Sequence, residues 1–249
     1  MRRAWENKAN AKKASLYSAI PKEWRLPPGD IPSSDCTIDV TCLSRKFLTA
    51  SEFAITESNP LDILANLHAG ISSAEEVTEA FCHRAAIAHQ LVNCLTEICF
   101  QSALDEARQL DQHRLVTGGL KGPLHGLPVS FMDRFRVAGV ETGAGYVGWL
   151  GKIEDRQTES LIVKQMRNLG AIPFCKTNLP MSMMLGDTSN NIIGTTGNPF
   201  VRKLSSGGAA GGKFFKCSDL VRMLNRSTYR GGGSAGYERI AIWVCHRYR

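Results

Sequence analysis

No stretch of this chain approaches the roughly 18 consecutive apolar residues that a membrane-spanning helix needs. A membrane partner is therefore not expected. The basic start, MRRAWENKANAKKASLYSAI, is not followed by an apolar h-region, so no secretory signal is read there. Among the eight cysteines (Cys36, Cys42, Cys82, Cys94, Cys99, Cys175, Cys217 and Cys245) there is no C-x-x-C pair and no regular spacing. That argues against a disulfide scaffold and a zinc site, and predicts reduced thiols in the cytoplasm, with no metal and no cofactor.

Excess positive charge is missing from most of the chain. The net charge is +7, but residues 213–249 carry eight basic and two acidic side chains. The preceding 212 residues carry 22 basic and 21 acidic ones. The basic character belongs to the tail, so a uniform nucleic-acid surface is not expected. What is present is an ordinary globular composition, 43% hydrophobic over 249 residues.

The pattern alternates helix and strand. A charged helix should run to Ile20 and be broken by Pro21, Pro27 and Pro28. Residues 31–55 read as irregular, with short apolar pieces such as FLTASEFAI. GISSAEEVTEAFCHRAAIAHQL reads as a helix opened by Ser72-x-x-Glu75 or Ser73-x-x-Glu76. Val77, Phe81, Ala88 and Leu91 share its apolar face, and Glu75, Glu76, Glu79 and Arg84 its wet one. His83 and His89 read as surface or cap residues, because no partner acid or thiol stands at ligand spacing.

Further on, CLTEICF reads as a strand and SALDEARQLDQHR as a helix. LHGLPVSF reads as a buried strand, and VAGVETGAGYVGWLG as a glycine-punctuated loop. DRQTESLIVKQMRNLG reads as a helix closed by Gly170, AIPFCKTN as a strand, and LPMSMML as a short helix near Pro180. This order predicts an α/β layer fold. Three regions follow: an N-terminal arm and irregular segment over 1–55, a main region over 56–212, and a basic tail over 213–249.

One stretch has almost no side chain at all. SSGGAAGG, residues 205–212, is a backbone suited to close approach to a substrate. GPLHGLPVSFMD, ESLIVKQMRNLGAIPFCKTNLPMSMM and GDTSNNIIGTTGNP precede it in the order and spacing of the amidase signature family. With IPKEWRLP and EVTEAFCHRAAIAHQLVNCLTEI, the chain resembles that family's fungal acetamidase and general amidase group over most of residues 15–212. The resemblance implies the N-terminal part, incomplete, of an α/β fold with a mixed β-sheet flanked by helices. It also implies a serine hydrolase of small carboxamides. In such an enzyme a lysine relays protons through a bridging serine to a nucleophilic serine, and backbone N–H groups of a glycine loop hold the oxyanion.

Carried over residue by residue, the machinery is altered. In the strand motif G-[LIV]-P-[VI]-S-[LVF]-K-D, Gly126 to Phe131 and Asp133 match, but the lysine position is Met132, a thioether without a basic nitrogen. Lys121 and Lys176 are near in sequence, yet neither is placed to substitute. The bridging-serine position is Ala209, followed by Ala210. Ser205 and Ser206 precede the glycine pair and read as loop-capping hydroxyls. The one nucleophile candidate is Ser234 in TYRGGGSAGY, with Gly231, Gly232 and Gly233 as an oxyanion loop; a flexible glycine–serine loop is the alternative. Met183 either lines the substrate pocket or packs a helix. Asp187 stands where the family usually has a glutamate.

After Gly212 the resemblance gives out, and a frame shift or retained intron is the expectation for the tail. A sheet missing strands from a second half would leave open edges and a marginal fold. The expected function is therefore an inactive amidase-family protein. The alternatives are an active amidase with relocated residues and a non-enzymatic binding remnant.

Overall fold

The computed structural model describes residues 3–33, 37–204 and 206–208. Helix α1, Ala4–Ala19, buries Ala9 and Leu16. It stops before Pro21, and the Arg25 guanidinium caps it by donating to Ile20 O at 3.0 Å. The prolines then impose two single 3-10 turns, Lys22–Trp24 and Pro28–Asp30.

The segment read as irregular over 31–55 is so only in its first part; from Ser44 on it is helical. It forms α2, Ser44–Phe47, and α3, Ala50–Glu57. The signal for α3 lies inside the apolar piece: Thr49 Oγ1 accepts from Glu52 N, and Glu52 reaches back to Thr49 N at 2.7 Å. Helix α4, Pro60–Ala69, starts on Asn59 with Pro60 at its first position and ends on left-handed Gly70.

Helix α5, Ala74–Val92, uses the second of its two candidate starts, with Ser73 Oγ accepting from Glu76 N at 3.0 Å. Asp111 adds a cap from a neighbouring helix, accepting from Ala74 N and Glu75 N at 2.8 and 2.9 Å. Val77, Phe81 and Leu91 are buried as the periodicity requires. Arg84 is not on the wet face. It is buried, donating to Thr56 Oγ1 at 2.8 Å and pairing with Glu57 at 2.5 Å, because α3 packs across that side. His83 is likewise covered: it meets Glu52 Oε1 at 2.8 Å and stacks on Trp24 with ring centroids 5.0 Å apart. His89 caps no helix end: its Nδ1 accepts from Leu95 N, beyond the helix, at 3.1 Å, and burial pushes it down to about 4, so the ring is neutral.

The sheet has three strands in the order β1, β3, β2: β1, Leu95–Ile98; β2, Pro128–Met132; and β3, Ile172–Thr177. β1 runs antiparallel to β3, and β2 runs parallel to it. The parallel pair needs a crossover, and α7, Leu161–Asn168, lies on it. Helix α6, Phe100–Thr117, follows β1. All six residues of β3 are buried, as a central strand requires. The α7-to-β3 turn needs its glycine: Gly170 has φ +93°, and a Cβ there would stand 2.7 Å from His125 Cα. A small hairpin of β4, Ser189–Asn190, and β5, Gly194–Thr195, completes the described chain.

The expected short helix at LPMSMML is only a 3-10 turn, Met181–Met183, with Ser182 and Met183 at φ +63° and +60°. Met181, Met183, Met184 and Leu185 are all exposed there. Among the described residues no core covers an apolar stripe here, and none of them extends the turn into a helix.

Candidate functional site

The end of β2 is where chemistry would gather. Side chains alternate along a strand, so neighbours in sequence face opposite sides of the sheet. Phe131 lies opposite Lys176, and Met132 opposite Thr177. Phe131 and Lys176 therefore share one face, and Met132 shares the other with Thr177. Met132 is half-buried and packs against the main core.

Lys176 is fully buried and occupied. Its ammonium lies 2.8 Å from Asp133 Oδ1 and donates to Glu141 O at 2.7 Å and Thr142 Oγ1 at 3.0 Å. Two of its protons are in hydrogen bonds, and the third contact is the ion pair with Asp133. Asp133 is buried too, and its Oδ2 accepts from Ala144 N at 3.0 Å. Burial pushes the Asp133 carboxyl up, and the Lys176 ammonium pulls against it. Next along this face, Glu97 of β1 lies opposite Lys176. Burial pushes Glu97 up to about 7, against the pull of Lys12 on α1 and of Lys176. Lys12 bridges Glu97 and Glu141, with the Glu141 contact at 3.1 Å. This is a structural ion network that ties α1 to the sheet. Lys176 has neither the position nor the free lone pair to act for residue 132.

The glycine stretch is described only to Gly208. Ser206 Oγ donates to Thr196 O at 3.1 Å, the loop-capping role expected of it. Thr188 Oγ1 lies 2.7 Å from Gly207 O and 2.6 Å from Gly208 O. A Cβ at Gly208 would come within 2.8 Å of Leu185 O, so this backbone approach needs glycine. Two residues that sequence reasoning passed over hold the loop in place. Asn178, at the end of β3, donates to Gly194 O and Thr196 Oγ1 at 3.2 and 2.9 Å. Asn190 donates to Asn178 Oδ1 at 2.6 Å and accepts from Ile192 N and Ile193 N at 2.9 Å. The asparagine of the KTN segment and the two asparagines of SNN were the available signal.

Met183 stands 36% exposed, so it packs no helix. Asp187 is exposed. Ala209, Ala210, Ser234, Gly231, Gly232 and Gly233 lie outside the described residues, as do Ser205 and the basic tail. Among the described residues, no group of three or more His, Cys, Asp and Glu side chains could hold a metal ion. No helix among them is long and apolar enough to cross a membrane.

Residues 76–213 match the Amidase family. The chain belongs to that family. This amidase-family chain is 41% identical over 213 residues to an acetamidase of Emericella nidulans, covering 86% of itself and 38% of that protein. It is 38% identical over 230 residues to a putative amidase of Curvularia clavata, covering 92% of itself and 42% of the other. It thus spans about two fifths of the length of these curated relatives. Among solved structures it is similar to a fatty acid amide hydrolase, with TM-score 0.77 and 32% identity over 85% of this chain and 37% of that one. A native peptide amidase from Stenotrophomonas maltophilia matches with TM-score 0.59 and 28% identity, over 65% of this chain and 34% of the other. The fold is therefore the mixed helix-and-sheet architecture of amidase-signature enzymes, present in part.

Proposed function

We propose that this chain carries the amidase frame without the amidase proton relay, and that it does not hydrolyse carboxamides. The observation that carries this reading is the end of β2. The position that resembles the family's lysine holds a methionine, and the buried lysine on the neighbouring strand is committed to Asp133, Glu141 and Thr142 on the other face. A thioether cannot take a proton at neutral pH. Ala209 adds a second break, since a methyl group cannot pass a proton onward. In catalytic units, loss of one member costs about 10⁴-fold or more, and further losses add little.

By family the ancestral substrate is a small carboxamide, cleaved to a carboxylate and ammonia or an amine. The free thiols fit a reducing, cytoplasmic setting. The test is ammonia release from acetamide and from a series of aryl amides by the purified chain. The expected result is no turnover above a mock preparation. Turnover that disappears in Ser234→Ala would overturn the reading, because it would require a working nucleophile.

A further inference from the structure

His125 closes the turn that joins α6 to β2, and it is only 1% exposed. The backbone on either side of it is pinned. A Cβ at Gly126 would stand 2.8 Å from Ala74 Cβ of α5 and 3.2 Å from Leu67 Cδ2 of α4. A Cβ at Gly170 would stand 2.7 Å from His125 Cα, and one at Gly122 2.6 Å from Leu169 O. Leu124 N and Gly126 N donate to Leu169 O and Gly170 O at 2.9 Å each. The imidazole therefore sits in close packing with little room to shift.

One hydrogen bond fixes the protonation state of the ring. Lys121 N donates to His125 Nδ1 at 3.1 Å. A backbone N–H can only donate, so Nδ1 is unprotonated and the neutral ring carries its proton on Nε2. That Nε2 is buried with no hydrogen-bond partner among the described residues. A second proton would set donor against donor at Lys121 and leave a buried cation without an acceptor there. Burial is the largest influence on the ring and pushes it below its ordinary value of 6.5. Asp111 of α6 pulls the other way, while Arg114 and His113 of α6 and His68 of α4 add to the push. Asp111 is occupied by Ala74 N and Glu75 N, and Arg114 by Leu67 O and His68 O. Of the other nearby charges, Glu75 of α5 pairs with Arg108, and Arg167 of α7 with Glu106 and Glu159.

We infer that residues 118–121 form an acid-released strap, held closed by His125 Nδ1 and let go when that nitrogen takes a proton. Closure favours the neutral ring. Its hold is therefore full above 6.5 and weakens as pH falls from there toward the lowered value of the closed form. Leu124 and Gly126 keep their bonds to residues 169 and 170, so the release is confined to the strap. It frees the link between α6 and β2 and leaves β2 seated. None of residues 132, 183 or 209 enters this inference, so it stands apart from the hydrolase reading.

The test is amide hydrogen exchange of the full 249-residue chain, read by NMR from about pH 7.5 to 5, with each rate divided by its intrinsic rate at that pH. Lys121 should keep constant protection above 6.5 and lose it severalfold below. Leu124, Gly126 and Leu95 should hold theirs. Leu95 is a built-in reference, because it donates to His89, which burial takes down to about 4. The carbon-bound ring protons of His125 should titrate below 6.5, over the range in which Lys121 is released. His125→Asn puts an uncharged acceptor in place of Nδ1 and should leave Lys121 protected throughout. Lys121 protection that ignores pH, simultaneous loss at Leu124 and Leu95, a ring that titrates at its ordinary value, or loss on the parent's schedule in His125→Asn would each overturn the proposal. The parent's own titration decides between these outcomes even where His125→Asn does not fold.

Discussion

At the residue scale, the deciding contrast is between two neighbours on one strand and their partners. Lys176 and Asp133 are sealed from solvent, each below 2% exposed. Removing one partner of such a pair leaves an uncompensated buried charge and costs about 3–5 kcal/mol. Lys176→Met should therefore lower the urea-unfolding free energy by that order, and adding Asp133→Leu should restore much of it. A single variant within about 1 kcal/mol of the parent would show that the pair does not hold the fold. The sequence was readable here in one respect: Met132 and Lys176 follow the strand pattern in which they were found. It was misleading at Arg84 and His83. Helical spacing assigns a residue to a face but cannot say that another helix, α3, covers that face.

At the element scale, apolar pattern with its bounding glycine, proline or serine located α5, α6, α7 and the three sheet strands, while α1 was read from its charged run and the proline that ends it. Helices α2 and α3 escaped notice because they are short and were masked by an irregular-looking run. The attachment of α1 was not legible at all. It depends on Lys12 meeting Glu97 and Glu141 across long stretches of sequence.

That attachment should be visible in pH dependence. Glu97 titrates at about 7 in the fold, above its ordinary value of 4.5. The native state therefore binds the proton more tightly than the unfolded chain. The stability it contributes is complete below about 4.5 and is lost as pH rises toward 7, at about 1.4 kcal/mol per unit of difference. Glu97→Gln should flatten this decline, so that the variant gains on the parent between pH 4.5 and 7 in urea-midpoint measurements. Parallel curves for the two proteins would refute the assignment of that window to Glu97.

At the scale of the whole molecule, the described residues bury one large core around β3, with Phe81, Phe131 and Phe174 among its largest side chains. The cysteines report on it. Among those described, Cys42 is exposed, while Cys82, Cys94, Cys99 and Cys175 are buried, and burial pushes the thiols of Cys94 and Cys99 up to about 12. An alkylating reagent at neutral pH should modify Cys42 quickly and these four only after denaturant is added, as read by peptide mass spectrometry. Rapid native-state labelling of the buried four would mean that the core is not closed. The fold class could be read from the alternation of helix and strand. The setting of His125 could not, because it is built from α4, α5, α6 and the turn before β3, which only the tertiary fold brings together.

The two-sidedness of β2 has a consequence for how such a chain can change over time. One face carries Phe131 and anchors the sheet, while the other carries residue 132. Residue 132 is itself packed against the main core, so it can change only among side chains that keep that packing. An exchange of one such side chain for another there leaves the Phe131 face as it stands.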